Sequence, residues 1–511
     1  MGKKSKELGL ETFLKSDFLQ LSQSQTLSGY EVVKKYPLNP PFSYAIILRD
    51  KKTSGYLYQV DEIKLNPEEE ELKNTLYNLI ELNLDSPEEN KGTGFESYLN
   101  EIMKNNQKIF KDVPIVSVEK VKYYIQRDIA SFGKIDALMH DPNIEDISCS
   151  GVGTSVYIWH REFDSVRTNI KFEGEQLNNF VTRIVFRAGK HISSAFPISD
   201  LALQGNHRIS VLYQKEVTPK GTSFTIRKFK EDPYSVIDLV NFGTMDIAIA
   251  AYLWLLVESK MSIMLMGSTG SGKTTALNAI TGLVNPDFKI FSVEDVAEVN
   301  INHENWFSLI SRTGFGVKGV GEIGLYDLIK SCVRHRPDYI VVGEIRGSEA
   351  YVLFQAMATG HGGLCTMHAD SLDSAAKRLQ QKPMDIPPSY LTLMNCAIVI
   401  RRVKDNVTGK STRKIISIEE VKNPTTFITI FRWDPKTDYF ESNLYESVLL
   451  QRIADQAGQS LEDVLQEFES RVKVLKWIQE RNIRDYKGVA ETIGTYYNEP
   501  KLLLQKIENR V

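Results

Sequence analysis

Cysteine is scarce in this chain. Cys149, Cys332, Cys365 and Cys396 are far apart, and no C-x-x-C occurs. That argues against a zinc module or a disulfide framework and fits a reducing compartment. Long apolar runs are missing too. The longest, Ile247 to Val257, has eleven residues, too short to span a bilayer, and reads as a buried helix. Neither charge sign dominates: the net charge is −3, which gives no electrostatic case for a nucleic-acid coat or a basic membrane-surface protein. No repeat of 20–50 residues is present, and no signal peptide is visible. The start, Met1-Gly-Lys-Lys-Ser-Lys6, carries Lys6 where myristoylation requires Ser or Thr. If the protein works at a membrane, something else must hold it there.

With 511 residues, 42% apolar and 25% charged, the chain has room for several soluble domains and a substantial core. Residues 1–110 read as an accessory N-terminal region, Lys- and Gln-rich at first. Strand-like pieces follow at 44–48 and 56–60, then a helix at 72–82 behind the acidic run Glu68 to Glu71, then a loop at 86–94. Residues 111–230 read as an α/β domain, with helical periodicity over 118–129 and strands at 156–159, 209–213 and 223–227. A linker is expected over 231–240. From there to 441 helices alternate with strand candidates at 262–266, 289–294, 339–343, 363–367 and 396–400. That alternation predicts a mostly parallel sheet covered on both faces. Residues 442–511 read as helical, with helices over 461–479 and 486–497.

The stretch Gly267, Ser268, Thr269, Gly270, Ser271, Gly272, Lys273, Thr274 matches G-x-x-x-x-G-K-[ST] at every fixed position. Thr275, the next residue, is taken with it. Glycines let the backbone curl until several N–H groups face one anion. Lys273 can reach β/γ-phosphates, and Thr274 offers a hydroxyl to Mg²⁺. The helix beginning there turns its positive end toward the phosphates. A glycine-rich strand-to-helix turn of no function would leave Lys273 and Thr274 unexplained.

A phosphate-loop enzyme also needs carboxylates at neighbouring strand ends, to hold Mg²⁺ or to orient and deprotonate water. Glu294 and Asp295 end one strand, and Glu344 ends another. In isolation such acids are more often caps or solvated residues. Behind a phosphate loop they become site candidates. His361 and His368 flank a strand. Without a third ligand nearby they fit a phosphate sensor or an interface contact better than a metal site. Arg334 and Arg336 either stabilise transition-state charge in trans at a subunit boundary or form surface ion pairs, and spacing does not choose between the two.

Together these elements resemble the type II/type IV secretion ATPase superfamily: pilus-assembly motors, the archaellum motor and VirB11-like transfer ATPases. The phosphate loop resembles its Walker A, and Phe291-Ser-Val-Glu-Asp295 its Asp box. Val341-Val-Gly-Glu-Ile-Arg346 resembles its atypical Walker B, and Thr359-Gly-His-Gly-Gly-Leu-Cys-Thr-Met-His368 its His box. The segment from Glu31 to Phe42 and the tail from Ile483 to Ala490 look like archaeal members.

The resemblance implies an α/β fold: a RecA-like P-loop ATPase core at 241–441 preceded by a PAS-like domain at 111–230. It implies a homohexameric ATPase using ATP and Mg²⁺, cytoplasmic and held at the inner face of the cell membrane by a polytopic platform protein. Pilin- or archaellin-like subunits would be its indirect cargo, with no direct nucleic-acid partner. Glu294 would be the catalytic base, Glu344 the Walker B acid near Mg²⁺ with Thr274, and His368 a γ-phosphate or coupling contact. Arg208 and Arg227 match arginines sent toward the nucleotide by the preceding domain. ATP binding would draw that domain onto the core, with the linker as hinge.

Two departures stand out. The four-cysteine zinc module of bacterial relatives is missing, so no metal beyond Mg²⁺ is implied. The run Asp200 to Arg208 keeps the arginine but not the family's Leu-Pro-Asp-Gly pattern. Archaellum rotation and DNA transfer remain alternatives to pilus-type assembly, as does a nucleotide-gated scaffold without turnover.

Overall fold

The computed structural model describes residues 29–82, 94–229, 232–312, 321–404 and 411–508. The loop expected at 86–94 falls outside them apart from Gly94, as do residues 1–28 and the first residue of the expected linker. The chain divides into two compact units, with the break after Phe229.

In the first unit the described strands are β1 (Tyr30–Asn39), β2 (Ser43–Asp50), β3 (Tyr56–Glu62), β4 (Ile144–Cys149), β5 (Ser155–His160), β6 (Asp164–Lys171), β7 (Ile198–Ala202), β8 (Arg208–Leu212) and β9 (Ser223–Arg227). They form one sheet in the order β1-β2-β3-β6-β5-β4-β9-β8-β7. Strands read as an accessory piece therefore share a sheet with those of the following segment. The join is a short parallel pairing of β3 with β6, Leu57 to Arg167 and Tyr58 to Thr168. A buried carboxylate reinforces it. Asp141 Oδ2 accepts hydrogen bonds from Tyr36 and Tyr58, both 2.6 Å, and Asp141 Oδ1 accepts the Asn143 N–H at 2.8 Å. Asp141 lies some 80 residues beyond Tyr58, so no local pattern in 30–62 signals the union. The helix Pro67–Leu82 starts five residues earlier than the apolar periodicity suggests, because Asn66 and Glu69 cap each other's backbone N–H groups.

The second unit holds β10 (Ile263–Met266), β11 (Ile290–Glu294), β12 (Trp306–Ile310), β13 (Tyr339–Val342), β14 (Gly362–Met367), β15 (Cys396–Lys404), β16 (Ser411–Asn423), β17 (Thr426–Asp434) and β18 (Tyr439–Ser442). Their order is β12-β11-β13-β14-β10-β15-β16-β17-β18. Strands β12 to β15 in that order pair in parallel, the α/β arrangement expected of a RecA-like core. The last three add an antiparallel extension that the helix–strand alternation did not indicate.

Every residue of β10, β13 and β14 is buried, as both-faces-covered parallel strands require. Alternate side chains enter two cores. Ile263, Leu265, Tyr339 and Val341 pack on one face with the helix Ile247–Glu258 and the C-terminal helices. Met264, Met266, Ile340 and Val342 pack on the other with the helices Leu325–Val333, Glu349–Ala358 and Leu372–Leu379. The expected linker 231–240 contains most of the helix Val236–Asn241. Its Ser235–Asp238 capping box looks like polar punctuation in sequence, yet Val236, Ile237 and Leu239 are buried. Its partners, Gln479 on Asn241 and Arg484 on Asp238, come from the far end of the chain.

Glu420 on β16 is fully buried. Its carboxylate accepts from Tyr252 at 2.6 Å, from Ser447, and from the N–H groups of Val448 (2.7 Å) and Leu449 (3.1 Å). One side chain thereby joins two helices to the sheet. Glu420→Ala strands four donors, three of them buried, and is expected to lower the unfolding free energy by about 3 kcal/mol or more. Urea unfolding reads this directly, and a loss under about 1 kcal/mol would contradict the assigned role.

Candidate nucleotide site

The phosphate loop leaves the end of β10, a central strand of the parallel sheet. Two of its glycines are demanded by their surroundings. At Gly267, φ is +154° and an added Cβ would sit 2.2 Å from the Ile400 carbonyl oxygen. At Gly272, φ is +96° and a Cβ would meet Arg413 Cδ at 2.9 Å. The hairpin β15–β16 thus presses on both ends of the loop, and Arg413 Nε also donates to the Gly270 carbonyl at 3.2 Å. Nothing in the local sequence marks Arg413 as a neighbour of residues some 140 positions earlier.

Lys273 begins the helix Lys273–Thr281 and is buried. Its Nζ donates to the carbonyls of Gly267 (2.9 Å) and Ser268 (3.0 Å) and lies 3.4 Å from His368 Nδ1. Burial holds this amine below the usual lysine range, opposed by the charges of Glu344 and Glu298. Ser271 Oγ is buried without a hydrogen-bond partner. Ser268, Thr269 and Gly270 are exposed, while Thr274 and Thr275 are half-buried. An ammonium bonded only to neutral groups, an unsatisfied hydroxyl and a helix N-terminus around one glycine-rich turn fit a phosphate chain.

Both acidic strand ends sit at this same edge of the sheet, on the adjacent strands β11 and β13. Glu294 is buried. Its Oε1 accepts the N–H groups of Glu298 (3.0 Å) and Val299 (2.8 Å), and its Oε2 is buried without a partner. Burial pushes its carboxyl up to about 7, against those two hydrogen bonds, which pull it down. Glu344 follows β13. Its Oε2 accepts from Arg346 at 2.5 Å, and its Oε1 lies 3.2 Å from His368 Nε2. Burial alone would raise its pKa, but Arg346, His368 and Lys273 outweigh it and hold the carboxyl below its ordinary value. Lys273, His368 and Glu344 thus form one chain of contacts linking the phosphate loop to the second acidic strand end. A lowered carboxylate beside the Thr274 hydroxyl's loop is the donor chemistry a hard cation such as Mg²⁺ takes.

Three candidates of the second unit, His361, Arg334 and Arg336, lie away from this edge. His361 and His368 lie at opposite ends of β14, and six residues at ~3.3 Å each keep them roughly 20 Å apart. Arg334 and Arg336 precede β13 and lie at the edge opposite Glu344. In this chain they do not reach the phosphate loop. Arg208 and Arg227 belong to the first unit, where they are cross-strand neighbours on β8 and β9, with Arg227 paired to Asp146 at 3.3 Å.

One acid went unread in the sequence. Glu298 Oε2 accepts from the Thr274 hydroxyl at 3.3 Å. The only local signal was its place four residues after Glu294, which the loop between them folds back onto the phosphate-loop helix.

A family model described as type II/IV secretion system protein matches residues 158–424, a span that takes in the phosphate loop, both acidic strand ends and His368. A second, described as PilB3-like, N-terminal, matches residues 4–63. Uncharacterized protein MJ0900 of Methanocaldococcus jannaschii is 38% identical over 393 residues, covering 75% of this chain and 70% of the relative. Conjugal transfer protein TrbB of Rhizobium radiobacter is 32% identical over 238 residues, covering 45% of this chain and 69% of the relative. The X-ray structure of the Legionella pneumophila ATPase DotB aligns with 69% of this chain and 91% of its own, at 15% identity and a TM-score of 0.40. The first family model spans just over half of the chain and the M. jannaschii relative three-quarters of it, and the chain belongs to the type II/IV secretion system protein family.

Proposed function

We propose that this chain is a hexameric ATPase motor that drives assembly or secretion of a type IV pilus-like filament or substrate through a polytopic membrane platform protein. Pilin- or archaellin-like subunits would be its indirect cargo. The observation that carries the ATPase reading is the contact chain Lys273–His368–Glu344 beside Glu294: a phosphate grip, a metal-type carboxylate and a base at one sheet edge. No helix among the described residues is long and apolar enough to cross a membrane. The proposed place is the cytoplasm, at the inner face of the cell membrane through the platform partner.

In this reading Lys273, with the loop from Gly267 to Thr275, binds the ATP phosphates. Thr274 and Glu344 would hold Mg²⁺, which supplies positive charge against the phosphoryl oxygens. Glu294 takes the proton of the attacking water, with Oε2 the oxygen that no backbone group occupies. His368, between Lys273 and Glu344, contacts the γ-phosphate. Arg208 and Arg227 are proposed phosphate contacts of the first unit, and Arg334 and Arg336 serve only in trans, from a neighbouring copy.

Steady-state phosphate release from the purified chain, with and without lipid, tests this. Turnover that requires Mg²⁺ supports it, whereas tight ATP binding without release would leave a nucleotide-gated scaffold. Kinship with TrbB favours a second reading, a DNA-transfer ATPase, while archaellum rotation is the other alternative machine. Strong stimulation by single-stranded DNA at moderate salt would select DNA transfer. The net charge of −3 argues against direct binding to the strand.

A further inference from the structure

The loop from Gly343 to Gly347 carries Glu344 beyond the end of β13, where ladder hydrogen bonds stop. Four of its five backbone N–H groups and the Gly343 carbonyl are nonetheless tied. The Gly343 N–H donates to the Val293 carbonyl at 3.1 Å. The Gly343 carbonyl accepts the Thr366 hydroxyl at 2.7 Å. The Ile345 N–H donates to the Thr366 carbonyl at 3.0 Å. The N–H groups of Arg346 and Gly347 both donate to Glu349 Oε1, at 2.5 and 2.6 Å. Glu349 is 8% exposed and Thr366 1% exposed.

Glu349 is the first residue of the helix Glu349–Ala358, where negative charge is favoured. Charge-assisted bonds to two consecutive N–H groups are the strong kind. A Cβ at Gly347 would lie 2.9 Å from Glu349 Oε2, so a side chain there would make that carboxylate shift. Neither Glu349 nor Thr366 touches Glu344 itself. They hold the backbone on both sides of it, and that backbone aims its carboxylate between Arg346 and His368.

We propose that Glu349 and Thr366 are positioning residues for the Glu344 carboxylate, and that they set the site's grip on a divalent cation rather than its grip on the nucleotide. The inference rests on the ATPase reading of the same site. A carboxylate displaced by about 1 Å still carries its charge but loses the geometry that a small hydrated cation demands. The phosphate loop, on another strand, keeps its own contacts.

The test is equilibrium binding of a fluorescent nonhydrolysable ATP analogue to the full chain, titrated with and without MgCl₂. Four variants are compared with the wild type: Glu349→Ala, Glu349→Gln, Thr366→Val and Thr366→Ser. Glu349→Ala and Thr366→Val should raise half-saturating Mg²⁺ by about tenfold, with Mg²⁺-free analogue affinity within about twofold of wild type. Glu349→Gln keeps an oxygen acceptor and should restore most of the Mg²⁺ response, as should Thr366→Ser for the hydroxyl. If Glu349→Ala does not fold, Thr366→Val, which removes one hydroxyl at constant shape, decides alone. An unchanged Mg²⁺ response in Thr366→Val overturns the proposal, as does equal loss of Mg²⁺-free affinity, the mark of a merely structural role. A wild-type chain that binds the analogue with no Mg²⁺ dependence also overturns it and leaves nucleotide binding standing. One that binds no analogue at all overturns the ATPase reading and this inference together.

Discussion

Lys273→Ala is expected to weaken nucleotide binding by at least a hundredfold and to abolish turnover. The buried ammonium is bonded to two carbonyls of its own loop and lies 3.4 Å from His368 Nδ1. Neutral partners compensate a buried charge poorly, and an anionic phosphate would replace them with charge-assisted bonds. Two such bonds at about 1.5–3 kcal/mol each correspond to roughly two to four decades of affinity. Loss of the side chain also opens space against His368 and removes one of the cations that keep Glu344 ionised. A fluorescent ATP analogue titrated into the variant gives the answer. Affinity within about threefold of wild type would show that the loop's backbone alone holds the phosphates.

Glu294→Gln should separate binding from chemistry. The amide keeps the shape and can still accept the N–H groups of Glu298 and Val299, so nucleotide affinity should stay near wild type. Removing a general base costs about 10²–10⁴-fold in rate, and phosphate release should fall accordingly. Full activity would remove Glu294 as base and turn attention to Glu344 and to Glu298, which touches Thr274.

The same substitution has a stability signature of known sign. Burial lifts the Glu294 carboxyl from 4.5 to about 7, so the folded state binds this proton more tightly than the unfolded one. The stability this contributes is complete below the unfolded value of 4.5 and is lost as pH rises through about 7. A shift of that size is worth up to about 3 kcal/mol. Glu294→Gln should therefore unfold later than wild type at pH 8.5 and together with it at pH 4.5, by denaturant titration at each pH. Wild-type turnover should rise through pH 7 as the base ionises. A wild-type rate flat from pH 6 to 8 would separate Glu294 from the chemistry.

The legible parts of the site were those whose chemistry is local. Gly267 to Thr274 announces itself because backbone curl, cation and hydroxyl must occur at fixed spacing along one turn. Strands such as β10 and β13 announce themselves because burial on both faces leaves no polar position, so a short unbroken apolar run marks them. The strands β16 and β17 carry Lys, Arg and Glu between apolar residues and do not break the pattern of a polar connection. Only their pairing with β15 makes them sheet. The helix Val236–Asn241 was hidden for the same reason, its apolar face being satisfied by residues near the other end of the chain.

Spacing alone could not say which strand ends meet. His361 and His368 are seven positions apart and point to opposite edges, because an extended six-residue strand separates rather than gathers its ends. Arg334 and Arg336 stand near Glu344 in sequence and face the other edge, for the length of β13 lies between. By itself the sequence determined that a phosphate loop follows a buried strand and that acids end two others, since each is written in a single continuous segment. The tertiary structure alone decided that Lys273, His368 and Glu344 form one line of contacts and that Glu349, Thr366 and Arg413 brace the loops around them. Those neighbours come from separate strands and helices, and only the parallel register that aligns the strand ends brings them within hydrogen-bonding reach.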